Sequence, residues 1–118
     1  MLMGFADLVF EHQGRYWVLD YKSNHLGPDD AAYHADALET AMLEHRYDVQ
    51  AALYMLALHR LLRSRLGSQY QAEQHLGGAI YLFLRGIQGP SAGVCHVPAS
   101  LPMLEALDQM LLQEEVAP

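Results

Sequence analysis

Arg15-Tyr16-Trp17-Val18-Leu19-Asp20-Tyr21-Lys22 is the stretch that decides how this chain folds. It is dense in aromatic and aliphatic residues, as strands are, yet it ends with an acid and an amine. Side chains alternate along a strand, so Asp20 and Lys22 project from the same face. Upstream, Gly4 to Glu11 reads as a second strand, and Glu11-His12-Gln13-Gly14 as a short polar link ending in glycine. A tight hairpin joins the two. With the turn symmetric about the Gln13–Gly14 bond, His12 pairs with Arg15, Phe10 with Trp17, and Asp7 with Asp20. Directly opposed residues have Cβ atoms roughly 4.5–5.5 Å apart. Asp7, Asp20 and Lys22 then meet on one face, and a one-residue slip would separate them.

Working outward, Ser23 to Asp30 is a loop by its Gly-Pro and polar content. Asp29 or Asp30 is placed to cap a helix running to about Glu44. A second helix runs from Tyr47 or Asp48 to about Leu66, with Val49, Leu53, Leu56 and Ala57 at helical spacing and Gly67 as its C-cap. Gly78 to Arg85 contains the apolar run Ala79 to Leu84, expected to be a strand buried on both faces. Gly86 to Gly93 is a turn region and Val94 to Val97 a short edge strand. Pro98 to Pro102 leads into a last helix whose leucines and methionines read as core, before a frayed tail from Glu114 to Pro118. This order gives one α/β domain over residues 1–118, a small mixed β-sheet flanked by helices.

Composition sets limits. The chain has 118 residues, 52% of them hydrophobic and 18% charged, enough apolar material for one core and unlike a disordered chain. The single cysteine, Cys95, excludes an internal disulfide framework, a cysteine-rich zinc site and an iron–sulfur cluster, and fits a reduced, cytoplasmic setting. No apolar stretch reaches the length of about 18 residues needed to span a membrane. The net charge of −7 runs against a simple nucleic-acid binder, which carries a basic face. A metal site, however, concentrates carboxylates and is neutralised by its ion.

The chemistry lies in Asp7, Asp20 and Lys22. Charged side chains are seldom buried without partners, and like charges placed opposite each other repel. A divalent cation removes that repulsion. Magnesium prefers hard oxygen ligands and binds through one or two carboxylates plus phosphate while retaining water. Such water is acidified into a nucleophile, and Lys22 is placed to orient it or to stabilise charge on a phosphate. The competing arrangement is a plain salt bridge between Asp7 and Lys22, with Asp20 solvated.

Three ordered motifs resemble the PD-(D/E)XK nucleases. Gly4-Phe5-Ala6-Asp7 is similar to their Gly-x-x-Asp motif, and Asp20-Tyr21-Lys22 to their Asp/Glu-x-Lys motif. Gln50-Ala51-Ala52-Leu53-Tyr54 resembles the Gln-x-x-x-Tyr motif of the RecB-type branch. The likeness extends through Leu19–Asn24, His45–Gln50, Leu56–Arg60 and Gly77–Gly86, most of the chain. It implies a restriction-endonuclease-like core and magnesium-dependent DNA hydrolysis of the exodeoxyribonuclease V type, within a helicase-nuclease of double-strand-break repair and recombination. It further implies Asp7, Asp20 and the backbone carbonyl of Tyr21 as Mg2+ ligands and Lys22 as catalytic. Gln50 and Tyr54 would support the site or contact DNA, and their four-residue spacing shares a helix face. The implied partners are DNA, a helicase region of the same polypeptide, and RecC- and RecD-like subunits.

One departure bears on the metal. In the RecB-type branch, a histidine from a helix upstream of Gly-x-x-Asp completes the shell. Met1 precedes Gly4 by only three residues, and none of the seven histidines matches that position. The expectation is therefore a C-terminal part of such a domain with weakened metal affinity. The alternative is a non-catalytic DNA- or protein-binding module of the same fold. The cluster-bearing relatives require four cysteines and are excluded. His59, Arg60, Arg63 and Arg65 form the one basic cluster, expected as a solvated helix end near the negative pole of the helix dipole.

Overall fold

The computed structural model describes residues 7–116, with side chains as far as Leu112. Strands β1 (Leu8–His12) and β2 (Arg15–Lys22) form the expected hairpin. Gln13 and Gly14 both have positive φ, 54° and 79°. That is the two-residue turn whose twist matches the strands, and Gly14 carries its second position without steric cost. The register pairs His12 with Arg15, Phe10 with Trp17, and Leu8 with Leu19. The first part of the predicted strand, Gly4 to Ala6, lies outside the described residues.

β3 (Leu76–Phe83) runs parallel to β2, and β4 (Val94–Pro98) runs antiparallel to β3. The result is a mixed four-stranded sheet in the order β1-β2-β3-β4. Burial along β3 alternates, so the expectation of a strand buried on both faces is corrected. Ala79, Tyr81 and Phe83 are fully buried, whereas Ile80 and Leu82 are half-buried. Tyr81 and Val18 share the side on which the helices pack. The strand also ends two residues earlier than predicted, because Leu84–Gly86 turns into a 3-10 segment.

Among the described residues, four helices complete the fold: α1 (Ala35–Glu44), α2 (Tyr47–Leu66), the short α3 (Ala72–His75) and α4 (Leu101–Val116). The helix predicted to start at Asp29 or Asp30 starts later. Asp29 caps only a 3-10 turn over Asp30–Ala32, and His34 caps α1 by accepting the Ala37 N–H. α2 has the predicted limits, with Gly67 following it and donating to the Arg63 carbonyl. Its buried face differs from the predicted one. Ala51, Tyr54, Met55, Leu58 and Leu62 join Leu56 in the core. Val49 and Leu53 instead line an open apolar groove of about 370 Å³ with Met103, Leu107 and Met110 of α4. The methionines of α4 are thus not core, whereas Leu104 is fully buried. Glu114 to Val116 continue α4 where fraying was expected, while Ala117 and Pro118 lie outside the described residues.

The predicted solvated helix end holds for the exposed Arg63 and Arg65 but not for Arg60 and His59, and two of the arginines are ion-paired. Arg60 Nε lies 2.6 Å from Asp108 Oδ1, and Arg63 Nη2 lies 3.3 Å from Oδ2 of the same side chain. His59 is buried, with Nδ1 2.7 Å from the Tyr70 hydroxyl. Burial alone would raise the Asp108 pKa, but the two guanidiniums outweigh it and hold the carboxyl below its ordinary 3.8. A depressed carboxylate pKa adds stability above the unfolded value, and that stability is lost as pH falls through the folded value. Asp108→Asn is therefore expected to cost about 1–2 kcal/mol in urea unfolding at pH 7, moderated by solvent around the arginines. The difference from wild type should shrink towards zero as the pH falls through and below the ordinary carboxylate range.

Candidate active site

The alternation of β2 points Val18, Asp20 and Lys22 towards α2, and the site grows from that row. Asp20 is only 5% exposed. Its Oδ2 accepts a hydrogen bond from the Tyr54 hydroxyl at 2.9 Å, and its Oδ1 lies 3.5 Å from Lys22 Nζ. Asp7 stands just before β1, at the next register position after the Leu8–Leu19 pair, and so opposite Asp20. Its Oδ2 accepts the Tyr21 backbone N–H at 2.7 Å. Asp7 thus extends the hairpin by one side-chain bond.

The salt-bridge alternative is reversed. Lys22 pairs with Asp20 rather than Asp7, and Asp20 is the buried acid while Asp7 is exposed. Burial pushes the Asp20 carboxyl above its ordinary pKa. The Tyr54 hydrogen bond and the Lys22 charge pull it back, while a hydrogen bond and the charge of Asp7 push it up again. The two carboxyl groups therefore sense each other across the strands. Burial and its bond to Asp20 hold the Tyr54 phenol far above its ordinary range, so it stays a donor.

The helical motif residues serve the interior. Tyr54 is 2% exposed, and its hydroxyl is turned inward to Asp20 rather than towards solvent. The Tyr81 hydroxyl lies 2.8 Å from Gln50 Oε1 and 3.2 Å from the Tyr47 carbonyl oxygen, and its one proton serves these two acceptors. Tyr21 presents an exposed side chain on the opposite face.

Sequence reasoning missed Tyr47, Tyr81 and Asn24. Lys22 Nζ sits 4.1 Å from the centre of the Tyr47 ring and 5.5 Å from that of Tyr81. The Tyr47 hydroxyl donates to Asn24 Oδ1 at 3.2 Å. Tyr81 is the only hydroxyl in an otherwise apolar run, but its place beside Asp20 comes from the parallel register of β2 and β3, which no local pattern carries.

Among the described residues, no group of three or more His, Cys, Asp and Glu is placed to hold a metal ion. Asp7 and Asp20 supply two carboxylates of the hard-oxygen kind that suits magnesium, in a mutual repulsion that a cation would relieve. The donor set therefore fits such an ion in kind, with fewer protein ligands than a closed site would have.

A family model for the PD-(D/E)XK nuclease superfamily matches residues 1–117. The chain is 51% identical over 112 residues to the RecBCD enzyme subunit RecB of Escherichia coli (strain K12), covering 93% of this chain and 9% of that protein. It is 45% identical over 109 residues to the same-named subunit of Haemophilus influenzae, covering 92% and 9%. Against the Mycobacterium tuberculosis subunit it is 47% identical over 94 residues, covering 79% and 8%. The chain thus spans about a tenth of the length of these curated relatives.

Tyr54→Phe removes the hydroxyl that stabilises the buried carboxylate. The Asp20 pKa should rise further, as read by carbon-13 NMR of its carboxyl across a pH titration. A carboxyl whose folded pKa exceeds the unfolded one loses stability as pH rises from the unfolded value through the folded one. Tyr54→Phe is expected to deepen that loss, by about 1–2 kcal/mol above the window.

Proposed function

The chain belongs to the PD-(D/E)XK nuclease superfamily, and we propose that it hydrolyses DNA phosphodiester bonds with the help of magnesium. The observation that carries this reading is the meeting of the Asp7 carboxyl, just before β1, with that of Asp20 on β2, the Lys22 ammonium lying 3.5 Å from the buried acid. Asp7, Asp20 and the backbone carbonyl of Tyr21 would hold the ion. Bound there, magnesium would supply a water of lowered pKa and neutralise charge on the scissile phosphate.

The chain's own residues do the rest. Tyr54 fixes the orientation of Asp20 through its hydroxyl. Asp7, anchored by the Tyr21 N–H, brings the second carboxylate from just before the neighbouring strand. Lys22, a donor with three protons, orients the attacking water or bonds to a phosphate oxygen as negative charge builds there. Lys22 is the catalytic residue in this scheme, and Gln50 and Tyr54 are supports.

The relatives named above extend the reading. As part of a longer polypeptide, the domain would serve a cytoplasmic helicase-nuclease in double-strand-break repair and recombination. Its partners would be DNA, the helicase region of the same polypeptide, and RecC- and RecD-like subunits. A second reading, a non-catalytic module of the same fold that binds DNA or protein, draws support from the lack, among the described residues, of three or more His, Cys, Asp or Glu placed to hold a metal, and the net charge of −7 favours its protein-binding form.

Isothermal titration with magnesium or manganese separates the two. The hydrolytic reading expects binding at millimolar metal that Asp20→Ala abolishes. On single-stranded DNA, Lys22→Ala should lower cleavage by about a hundredfold or more while leaving metal binding in place. No metal binding, or equal cleavage by the Lys22→Ala chain, favours the module.

A further inference from the structure

We propose that Tyr47 is a positioning residue for Lys22, setting the ammonium through its ring. This rests on the hydrolytic reading above and adds a residue that none of the three motifs contains. The Lys22 side chain is 16% exposed, so its charge is largely withdrawn from water. Three groups compensate: the Asp20 carboxylate at 3.5 Å, the Tyr47 ring, 4.1 Å from ammonium to centroid, and the more distant Tyr81 ring at 5.5 Å. A cation within about 6 Å of a ring centre is attracted by the ring's negative face, and more strongly when desolvated.

Asp20 alone leaves the ammonium free to swing about one contact. The ring supplies a second, and the ring is itself fixed. It stacks on Tyr81, with centroids 5.6 Å apart and planes at 19°, and on His45, at 5.2 Å and 17°. Its hydroxyl is tied to Asn24 Oδ1 in the loop after β2. The backbone delivers it there. α1 and α2 are joined only by His45 and Arg46, and Arg46 adopts a left-handed φ of 57°. Such a φ is uncommon outside glycine and asparagine, and here it makes the corner that sets Tyr47 at the first position of α2.

Gln50 then acquires a role inside the protein. It accepts the Tyr81 hydroxyl, and Tyr81 underlies Tyr47. Gln50 and Tyr54, four residues apart on α2 and hydrogen-bonded to each other, thus brace the two charged partners as one unit. Tyr54 holds the acid directly, and Gln50 holds the amine through two rings.

The test measures magnesium-dependent cleavage of single-stranded DNA, with kcat and KM separated, for Tyr47→Leu and Tyr47→Phe. Alongside, NMR follows the Lys22 ε-methylene protons, which a stacked ring shifts upfield. Tyr47→Leu should lower kcat about tenfold, equivalent to about 1.4 kcal/mol. KM and magnesium affinity should hold, and the upfield shift should vanish. Tyr47→Phe should restore both kcat and shift, since it keeps the ring. An unchanged kcat in Tyr47→Leu overturns the proposal, as does a Phe variant as impaired as Leu, which would assign the effect to the hydroxyl. Should Tyr47→Leu not fold, His45→Ala loosens the stack and must reduce both kcat and the shift; no change in either overturns the proposal. If the unaltered chain cuts no DNA, the hydrolytic reading fails by itself. The NMR then decides the contact: ε-protons already unshifted in the unaltered chain overturn it, and shifted ones that Leu releases and Phe retains sustain it.

Discussion

A buried carboxylate is the constraint around which this structure is arranged. Asp20 lies in a strand whose helix-facing neighbours include Val18, and it is almost without solvent. An ionised acid taken from water is costly unless hydrogen bonds and charges replace its hydration. Tyr54 and Lys22 do so in part, and Asp7 works against them. The balance leaves Asp20 readier to hold a proton than an ordinary aspartate. A site kept in that condition is poised for a cation: a divalent ion would relieve the repulsion and offset the desolvation together.

The fold supplies each compensating group from a different direction. The tight turn at Gln13 and Gly14 fixes the hairpin register and so sets Asp7 against Asp20. The parallel pairing of β2 with β3 lays Tyr81 beside Asp20. α2 crosses this face and presents Tyr54, Gln50 and Tyr47 to it. The helix itself is anchored at its far end by Arg60 and Arg63 on Asp108, and by the packing of Leu56, Leu58 and Leu62 in the core. The basic cluster therefore holds α4 to α2, and its pairing with Asp108 gives it a structural use.

How much of this was legible in the sequence depends on how local the cause is. The limits of β2 and α2 follow from composition, periodicity and Gly67, the hairpin register follows from the two-residue turn at Gln13 and Gly14, and the shared face of Asp20 and Lys22 follows from strand alternation. Those sufficed to bring Asp7, Asp20 and Lys22 together. The α1 start was misplaced because Asp29 does cap, but it caps a single 3-10 turn, and a histidine takes over at the true start. Val49 and Leu53 have core-like chemistry and spacing, yet they face a groove against α4, which no pattern along α2 alone can reveal. Tyr47 and Tyr81 were passed over because each reads as an ordinary apolar position. Their hydroxyls and ring faces gain meaning only when a helix and a central strand meet above Lys22.

The central physical claim is that the carboxylates of Asp7 and Asp20 together form an oxygen pair for one divalent ion. The most direct test is a crystal structure of the chain soaked with manganese, with the ion located by its anomalous signal. The expected result is one ion with an oxygen from each of Asp7 and Asp20 at about 2.1 Å, the distance typical of a small hard cation. An ion held by only one of them, or found only elsewhere on the chain, would contradict it.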